Sequence, residues 1–585
     1  MKFFSNKDIA KLFRSIAAAY SVTGGNNFKI IAYNSAADSV EHATSELKDL
    51  WEDNKLDTVP GLGVSMRGYL DELFKTGRVK HFEELTEDIP PGMFEFLDLK
   101  NMGPKNAYKL AKEFNLKTIA DLEKAAKAGK IRKLPGFGEK SEREILKSIS
   151  EFKPQSTRQD LPSAFAVARR VIEHMKTSSA CEKIEPLGSL RRMVATIGDV
   201  DIAVASKKPQ QVINHFKTFR EVARILGAGD MASSIILENG IQVDLKVQPL
   251  EAFGALLQHF TGSKYHNISL REFALKKGMS LSEHGIKYKG KLYKFPNEVS
   301  FYKFLGLDYI EPELREDNGE IEAAMHSAQG KSDGLPKLVE LKDIKGDLHI
   351  HSDYPIEPSH DLGTSSQEVL VKRGKQLKYE YIGLSDHSPG VSNHTKTQII
   401  ELIKKRKDKI EHLKSSFKNI RILNLLEIDI LASGELSVPP EGLNLLDGAI
   451  AGIHSNHNQD KATITKRLLT AISHPKVKVI SHPTGRMLGQ REGSDADWEI
   501  IFKACSKTNT YLEINAWPTR LDLPDTLVFK AKKFGVKFVT STDSHDVRHM
   551  DNMNFALSVA RRGWATKKDI INSLASIEFA RVFEI

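Results

Sequence analysis

Polar and apolar residues alternate along one short stretch near the middle of the chain. Asp199 and Asp201 alternate there with Val200, Ile202 and Val204. Successive side chains of a β-strand point to opposite faces of the sheet. The stretch is therefore predicted to form a strand that carries two carboxylates on one face and an apolar anchor on the other.

A third carboxylate, Asp244, stands in a second alternating stretch, between Val243 and Leu245. Like charges that lie together are costly to bury unless cations neutralise them. An isolated pair of acids is most often the solvated edge of a strand. Upstream, however, a turn at Gly188 and Ser189 could bring backbone N–H groups and a hydroxyl close to a phosphate. With this turn, the pattern favours three acids that hold two divalent ions for in-line phosphoryl transfer.

The first 150 residues are predicted to form helices joined by short glycine turns. Apolar residues recur at helical spacing from Ile9 to Ile16. Farther along, three glycine turns each precede an amphipathic run, and these runs extend to about Phe74, Phe114 and Ile149. N–H groups at such turns can hold a backbone phosphate without reading the base sequence, so three turns favour DNA binding over ordinary connectors. Their glycines are Gly61 and Gly63, then Gly103, then Gly136 and Gly138.

Short apolar strands alternate with helices from residue 344 onward, and polar residues recur at the strand ends. This alternation predicts a parallel α/β domain, in particular a barrel. A single histidine at a strand end is usually structural, but a series of them with carboxylates between favours a metal centre. Imidazole-rich centres suit Mn²⁺ or Zn²⁺, and clustered ions can activate water for phosphoester hydrolysis. The candidate ligands are His349, His351, His387, Glu427, His454, His482, Asp543 and His545.

Composition limits the class of protein. A chain of 585 residues, 40% of them hydrophobic, can form several domains with sizeable cores. Its two cysteines exclude a disulfide framework and favour a cytoplasmic location. No apolar run approaches the roughly 20 residues of a membrane span, and the first residues lack the apolar core of a signal peptide, so we expect no membrane partner. The net charge of +9 permits nucleic-acid binding without locating it.

The N-terminal 315 residues resemble a family X DNA polymerase, the class that includes DNA polymerase beta. The resemblance rests on the turn at Gly188 and Ser189, on Arg192, on the three acids, and on the segment 260–263. Two of the three glycine turns also match. This resemblance implies two-metal nucleotidyl transfer with Mg²⁺ or Mn²⁺. It also implies deoxynucleoside triphosphates as substrates and gapped or primed duplex DNA as partner.

The resemblance also implies a role for each matching residue. Asp199 and Asp201 would bind both ions, and Asp244 would activate the primer 3′-hydroxyl. Ser189 and Arg192 would hold the β- and γ-phosphates. The turns at Gly188 and Gly198 would add further nucleotide contacts. Phe260 and Gly262 would lie at the sugar, with His259 beside them. Asn267 would lie at the base edge and Arg271 at the template.

Two positions depart from the animal enzyme. His259 replaces the tyrosine that precedes the sugar-contacting phenylalanine, which leaves sugar discrimination open. Tyr69 stands where the lyase domain of that enzyme has its Schiff-base lysine, and a phenol cannot form a Schiff base. We therefore expect no strong deoxyribose-phosphate lyase activity through this position, although Lys29 or another amine could give weak activity.

The C-terminal part resembles a PHP (polymerase and histidinol phosphatase) domain, whose pattern has nine metal ligands. The eight candidates above fill all but one of these positions. The ninth ligand usually follows the paired histidines within a few residues, but residues 355–358 look like an insertion here. We choose Asp361 over Asp353 for this position, with His360 and Glu357 as possible substitutes.

The predicted architecture is multidomain, α+β followed by α/β. It consists of an N-terminal helical DNA-binding domain (1–85), a helix-hairpin-helix fingers domain (86–155), a nucleotidyltransferase palm with a mixed sheet (156–255), a small thumb (256–315), a linker (316–339) and a distorted (β/α) barrel of PHP type (340–585). The predicted function is templated, gap-filling DNA synthesis in repair by a monomer, with a 3′→5′ exonuclease or 3′-end-processing activity in the barrel. Two rivals stay open: a template-independent nucleotidyltransferase joined to a small-molecule phosphoesterase, and a DNA-binding scaffold.

Overall fold

The structure, a computed structural model, describes most of the chain. The described residues are 4, 6–41, 47–52, 55–59, 61–99, 102–151 and 158–584. The predicted boundary between the fingers and palm domains, at residue 155, lies outside these ranges. Among the described residues, no helix combines the length and the apolar character that crossing a bilayer requires.

The N-terminal part is helical, as predicted. Its helices are α1 (Asn6–Val22), α2 (Asn27–Glu41), α3 (Leu47–Glu52), α4 (Val64–Thr76), α5 (Lys80–Thr86), α6 (Pro91–Phe96), α7 (Pro104–Glu113), α8 (Ile119–Lys127) and α9 (Glu139–Glu151). They enclose two separate apolar cores, one around Phe13 and Leu70 and the other around Phe96 and Leu110. Helices α4, α7 and α9 each follow one of the three glycine turns, which confirms the helices predicted there.

The palm is built on a five-stranded mixed sheet with strand order β2-β4-β7-β6-β5, in which β4 and β7 are parallel and the other pairs antiparallel. On one face, Val200, Ile202 and Val204 share a core with helices α10 and α12. On the other, Ala203 packs against Phe253 of α13. The elements are β1 (Gln159–Asp160), α10 (Leu161–Lys176), β2 (Lys183–Pro186), α11 (Gly188–Arg191), β3 (Thr196–Ile197), β4 (Val200–Ala205), α12 (Pro209–Phe216), β5 (Val222–Ala228), β6 (Ala232–Leu237), β7 (Gln242–Gln248) and α13 (Phe253–Thr261).

The thumb packs helices against a small antiparallel sheet of order β10-β9-β8. Its elements are α14 (Lys264–Leu275), β8 (Met279–Ser282), β9 (Gly285–Tyr288), β10 (Lys291–Tyr293) and α15 (Glu298–Leu305). The segment 316–339, predicted to be a linker, contains helix α16 (Glu320–Ala328). Ala324 of this helix is buried in the same core as Phe301 and Leu305, so the first half of the segment is packed onto the thumb.

Seven parallel strands in chain order, β11 to β17, form the C-terminal barrel that the sequence predicted. A parallel bridge between Ile350 and Ser544 joins the segments that follow the first and the last strand. The elements are β11 (Gly346–Asp347), α17 (Gln367–Gln376), β12 (Tyr381–Leu384), α18 (Lys396–Ser416), β13 (Arg421–Asp429), α19 (Pro440–Leu443), β14 (Gly448–Gly452), α20 (Lys461–Ile472), β15 (Val477–Ile480), α21 (Trp498–Thr508), β16 (Tyr511–Asn515), α22 (Asp525–Lys532), β17 (Phe538–Ser541), α23 (Met553–Arg562) and α24 (Ser576–Phe583).

Palm and thumb approach each other closely at one glycine. Gly254, in α13, lies against the backbone of Asn297, and a Cβ at this position would be only 2.6 Å from the Asn297 Cα. Asn297 caps α15 by accepting a hydrogen bond from the Ser300 N–H at 2.9 Å. The two helices can therefore reach this spacing only because residue 254 has no side chain.

We predict that Gly254→Ala destabilises the protein by about 1–3 kcal/mol, because the added methyl group forces the two backbones apart. Gly68 is the matched control: it lies inside α4, and a Cβ added there would meet no atom within 4 Å. Gly68→Ala is expected to stabilise by about 0.5–1 kcal/mol through helix propensity. Calorimetric unfolding of the full chain measures both, and equal effects of the two substitutions would contradict the close-approach interpretation.

Candidate active sites

Two of the three palm acids lie side by side on neighbouring parallel strands. Asp201 of β4 is the register partner of Asp244 of β7, and Asp199 occupies the bend that leads into β4, directly after Gly198. All three acids are partly buried. The Gln242 side-chain amide donates to both oxygens of Asp244 at 3.0 Å, which orients this carboxylate. The sheet thus brings the three predicted acids to one end of two strands.

The glycine–serine turn lies against this carboxylate group. Gly188 has a φ of +58°, and a Cβ there would be 2.6 Å from Oδ2 of Asp201. The Leu187 N–H donates to the Asp201 carbonyl at 2.8 Å, which fixes the turn to the strand. Ser189 follows at the start of the short helix α11. Any larger residue at position 188 would close the space between the turn and Asp201.

Arg192 leaves the end of α11 and points toward the segment 260–263. Its Nη1 donates to the Thr261 carbonyl, and its Nε donates to Oε1 of Glu316 at 2.9 Å. Gly262 leaves room for the guanidinium, because a Cβ there would be 3.1 Å from Arg192 Nη1. Burial lowers the pKa of Arg192, although Glu316 opposes this shift. The predicted phosphate and sugar residues therefore form one continuous wall.

The other predicted nucleotide residues form a connected group beside this wall. The Asn267 side-chain amide donates to the His259 carbonyl at 2.7 Å and accepts from Gln258 at 2.9 Å. His259 is buried, which lowers its pKa to about 4, so the ring is neutral at physiological pH. The rings of His259 and Phe260 meet edge to face at 4.6 Å, and Arg271 lies one turn beyond Asn267 in α14.

The glycine turns of the N-terminal domains are placed at helix starts. Gly63 and Gly103 are the N-cap residues of α4 and α7, and Gly138 directly precedes α9. A Cβ on any of these three would meet no atom within 4 Å. Packing therefore does not require glycine at these positions. Gly61 and Gly136 have positive φ values of +82° and +87°, which a turn of this kind requires.

Tyr69 belongs to an aromatic group of the N-terminal domain. Its ring stacks on His81 at 5.1 Å and contacts Phe82 at 5.0 Å. His81 also hydrogen-bonds the Tyr20 hydroxyl at 2.8 Å, and Lys29 lies over the Tyr20 ring at 4.8 Å. Tyr69 thus packs as an aromatic side chain, and Lys29 is the amine that this group holds nearby.

The histidines and acids of the barrel converge around Glu427, at the end of β13. Within 3.5 Å of its carboxylate oxygens lie nitrogens of five imidazoles, those of His349, His351, His387, His454 and His482. Asp543 lies 3.2 Å from Nε2 of His351 and 3.5 Å from Nε2 of His349. The strand ends therefore assemble the side chains that the sequence analysis selected.

The donor set fits metal ions. Buried nitrogen atoms without a hydrogen bond occur at His349, His351, His387, His454, His482 and His545, together with one oxygen of Glu427. Leaving such polar atoms unsatisfied in a protein interior is costly. Four groups of three donors among the described residues have ligand atoms within 4.8 Å of one another: His351, His387 and His545; His349, His351 and Asp543; His387, Glu427 and His454; and His360, Asp429 and His454. The residues present can therefore hold several ions, with imidazole and carboxylate as ligands.

Charge compensation governs the pKa values of this cluster. Burial alone would lower the pKa of His349, but Glu427, Glu513 and Asp543 hold it well above its usual value. Burial and the neighbouring imidazoles lower the pKa of His351 to about 3. The carboxylate of Glu427 has its pKa held well below the usual value by His349, His387 and His454, against the effect of burial. Two imidazoles of one cluster thus have their pKa values shifted in opposite directions.

Asp361 approaches the cluster from the loop after the paired histidines. Its carboxylate lies 3.6 Å from His387 and 3.4 Å from His545, and these contacts hold the Asp361 pKa below its usual range. Of the alternatives, Glu357 pairs with His394, and His360 contacts Asp429 at 3.2 Å. Asp353 is exposed. Asp361 and His360 thus both reach the histidine cluster, and His360 forms a group of possible metal donors with Asp429 and His454. Asp361 as the ninth ligand stays a prediction.

Two acids of the barrel site were missed by the sequence analysis. Glu513 hydrogen-bonds Nδ1 of His349 at 2.7 Å, and Oδ1 of Asp429 lies 2.7 Å from Nδ1 of His454. Carboxylates in this position orient the ring of a metal-binding histidine. Asp429 follows Glu427 by two residues on the same strand, and Glu513 lies in an apolar strand, so a search for every strand acid could have found both.

The fold and the sites together define a nucleotidyltransferase palm joined to DNA-binding helical domains and to a metal-binding barrel. Family models match in three places: a DNA polymerase beta thumb over residues 256–316, a helix-hairpin-helix domain over 4–79, and a SAM-like helix-hairpin-helix tandem over 94–151. The chain is 34% identical over 580 residues to the DNA polymerase/3′-5′ exonuclease PolX of Bacillus subtilis, which covers 98% of both chains. The chain belongs to the family X DNA polymerases.

More distant relatives match about half of the chain. DNA polymerase lambda of Rattus norvegicus is 24% identical over 343 residues, which is 53% of this chain and 56% of the relative. DNA nucleotidylexotransferase of Xenopus laevis is 23% identical over 298 residues, 44% of this chain and 59% of the relative. The barrel is therefore shared with the Bacillus protein, whose match extends over nearly the whole chain.

We predict that Mn²⁺ binding to the barrel quenches the fluorescence of Trp517, because this indole lies 5.3 Å from the ring of His545. Trp517→Phe is expected to remove that component of the quenching and to leave the signal of the other three tryptophans. His349→Ala should weaken Mn²⁺ binding in the same titration. Diamagnetic Mg²⁺ is the control ion, and quenching that is unchanged in Trp517→Phe would place the ions elsewhere.

Proposed function

We propose that this chain is a DNA-directed DNA polymerase that fills short gaps during repair, with a separate 3′→5′ exonuclease in its barrel. The observation that carries the proposal is the register of Asp201 with Asp244, with the Gly188 turn packed against Asp201. Gapped duplex DNA and deoxynucleoside triphosphates are the substrates. The names of the Bacillus and rat relatives support both activities.

In the palm, Asp199, Asp201 and Asp244 would hold Mg²⁺ or Mn²⁺. Such ions would neutralise the charge that develops on the phosphates. Asp244 takes the proton of the primer 3′-hydroxyl. Ser189 and Arg192 bind the β- and γ-phosphates, so that the leaving pyrophosphate stays paired with a cation. Each of these roles is given to a residue that lies at the two paired strands or in the turn beside them.

The remaining palm residues orient the nucleotide. Phe260 and Gly262 lie at the sugar, with the neutral ring of His259 behind Phe260. Asn267 reaches the base edge while its amide is held by His259 and Gln258. Arg271 contacts the template, and the turns at Gly188 and Gly198 give the phosphates access to backbone N–H groups.

The helical domains hold the duplex on both sides of the gap. The glycines of the three turns, Gly61, Gly63, Gly103, Gly136 and Gly138, let the DNA backbone approach the starts of α4, α7 and α9. Contacts of this kind fix the position of a duplex without selecting its sequence, which suits an enzyme that acts at any gap.

In the barrel, the nine ligands would hold Mn²⁺ or Zn²⁺, which supply an activated water and charge neutralisation for cleavage of a phosphodiester. The ligands are His349, His351, Asp361, His387, Glu427, His454, His482, Asp543 and His545. Glu513 keeps the ring of His349 in place by accepting from its Nδ1, and the Asp429 carboxylate lies beside the ring of His454. The barrel site uses none of the palm acids, so its activity is separable from synthesis.

A 5′-labelled primer on a one-nucleotide gap tests the two-site proposal. Asp201→Asn is expected to lower extension by about 10²–10³-fold or more, because the isosteric amide carries no charge to hold a cation. The same variant should shorten the primer at the wild-type rate. His349→Ala should do the reverse, with normal extension and lost shortening.

Loss of the same activity in both variants would contradict two independent sites. Incorporation of all four nucleotides with equal efficiency would instead support the template-independent transferase. Full activity of Asp201→Asn would indicate a scaffold. Release of phosphate from small esters, without degradation of a recessed 3′ end, would identify the barrel as a small-molecule phosphoesterase.

A further inference from the structure

Arg192, the palm arginine at the triphosphate position, is held by a residue from outside the palm. Its Nε donates to Oε1 of Glu316 at 2.9 Å, and its side chain is only 14% exposed. Glu316 lies at the end of the thumb, after the 3₁₀ turn that ends at Leu314. The guanidinium that faces the nucleotide is therefore already paired with a carboxylate.

The same oxygen of Glu316 has a second partner, which comes from the barrel. Nη1 of Arg562, at the end of α23, donates to Glu316 Oε1 at 2.9 Å and to the backbone carbonyl of Arg192 at 2.8 Å. The opposite side of the Arg562 guanidinium pairs with Asp525 at 2.8 Å. Charges thus alternate along one line from the palm to the barrel: Arg192, Glu316, Arg562, Asp525.

Glu316 and Arg562 have opposite effects on the ability of Arg192 to bind a triphosphate. Glu316 neutralises Arg192 and competes with phosphate oxygens for its N–H groups. Arg562 shares that carboxylate, so Glu316 can release Arg192 and still keep a charged partner. A partly buried carboxylate that lost its only cation would be strongly disfavoured. Arg562 therefore lowers the cost of freeing Arg192 for a ligand.

We propose that Arg562 of the barrel is a positioning residue for nucleotide binding in the palm: by sharing Glu316, it keeps Arg192 available to the triphosphate. This inference rests on the proposed role of Arg192 in binding the β- and γ-phosphates. It gives the barrel a function in DNA synthesis that is independent of its metal ligands, because Arg562 lies on an outer helix and not at the strand ends.

Steady-state extension of the gapped primer by the full chain, with a parallel measurement of nucleotide affinity, tests the proposal. Arg562→Gln is expected to raise the KM for the incoming nucleotide about tenfold, equivalent to about 1.4 kcal/mol, with little change in kcat. Arg562→Lys keeps the charge and should restore most of the affinity. Shortening of the primer by the barrel should proceed at the wild-type rate in both variants.

A double substitution separates positioning from simple loss of structure. If Arg562 acts through Glu316, then Glu316→Gln combined with Arg562→Gln should return the KM to near the wild-type value, because no carboxylate is left to compete for Arg192. Arg561→Gln is the matched control, since Arg561 is the preceding residue of α23 and ties the barrel to Glu313 at 2.7 Å and to the Val339 carbonyl. The control should leave the KM unchanged.

Several outcomes would overturn the inference. An unchanged KM in Arg562→Gln, with a raised KM in Arg192→Gln, would refute the role of Arg562 and leave the proposed polymerase site intact. An equal rise of the KM in Arg561→Gln would show that only the domain contact matters. An unchanged KM in Arg192→Gln would remove the assignment of Arg192 itself, and the inference would fall with it.

Discussion

The pairing of two parallel strands, β4 and β7, is the constraint on which the palm site depends. Their register places Asp201 opposite Asp244, while Val200 and Ile202 are buried on the other face. A shift of one residue would turn one carboxylate into the core and an apolar side chain into the site. The apolar face therefore fixes the catalytic geometry, because the cost of exposing the core holds the acids in register.

Both the palm site and the barrel site bring carboxylates close together, and both therefore need positive charge beside these carboxylates. In the palm, the carboxylates stand next to a turn at Gly188, where φ is +58° and an added Cβ would lie 2.6 Å from Oδ2 of Asp201. In the barrel, one carboxylate, that of Glu427, is surrounded by five imidazoles and lies near Asp543. Cations satisfy the first arrangement, and cations or protons satisfy the second. Both sites thus hold carboxylates that need positive charge close to them.

The junction of palm, thumb and barrel is built from arginines that share carboxylates. Glu298 of the thumb accepts from Arg191 and from Arg315, each at 2.6 Å, in a position that is almost fully buried. One residue farther along the palm turn, Arg192 and Arg562 share Glu316. Arg191 and Arg192 therefore both connect this turn of the palm to the thumb, and Arg562 adds a contact from the barrel.

Periodicity and spacing were sufficient to predict the order of domains, the strands that carry the three acids, the helices after the glycine turns, and eight candidate barrel ligands that the structure brings close together. These features are local: each depends on neighbouring residues in one strand or one turn. The ninth ligand had to be chosen among four residues. They lie in an irregular loop, and such a loop has no periodicity that predicts the direction of a side chain. The helix α16 within the segment 316–339 was missed because glycine and serine follow it closely.

Contacts between segments far apart in sequence came only from the tertiary structure. Glu513 lies 164 residues from His349, and Arg562 lies 246 residues from Glu316. In neither pair do the residues that flank one partner in the sequence indicate the other partner. The sequence by itself determined which side chains stand on the functional face of each element, because that depends on local backbone geometry. Packing of the domains decided which charges meet, because the energy of an ion pair depends on distance through space.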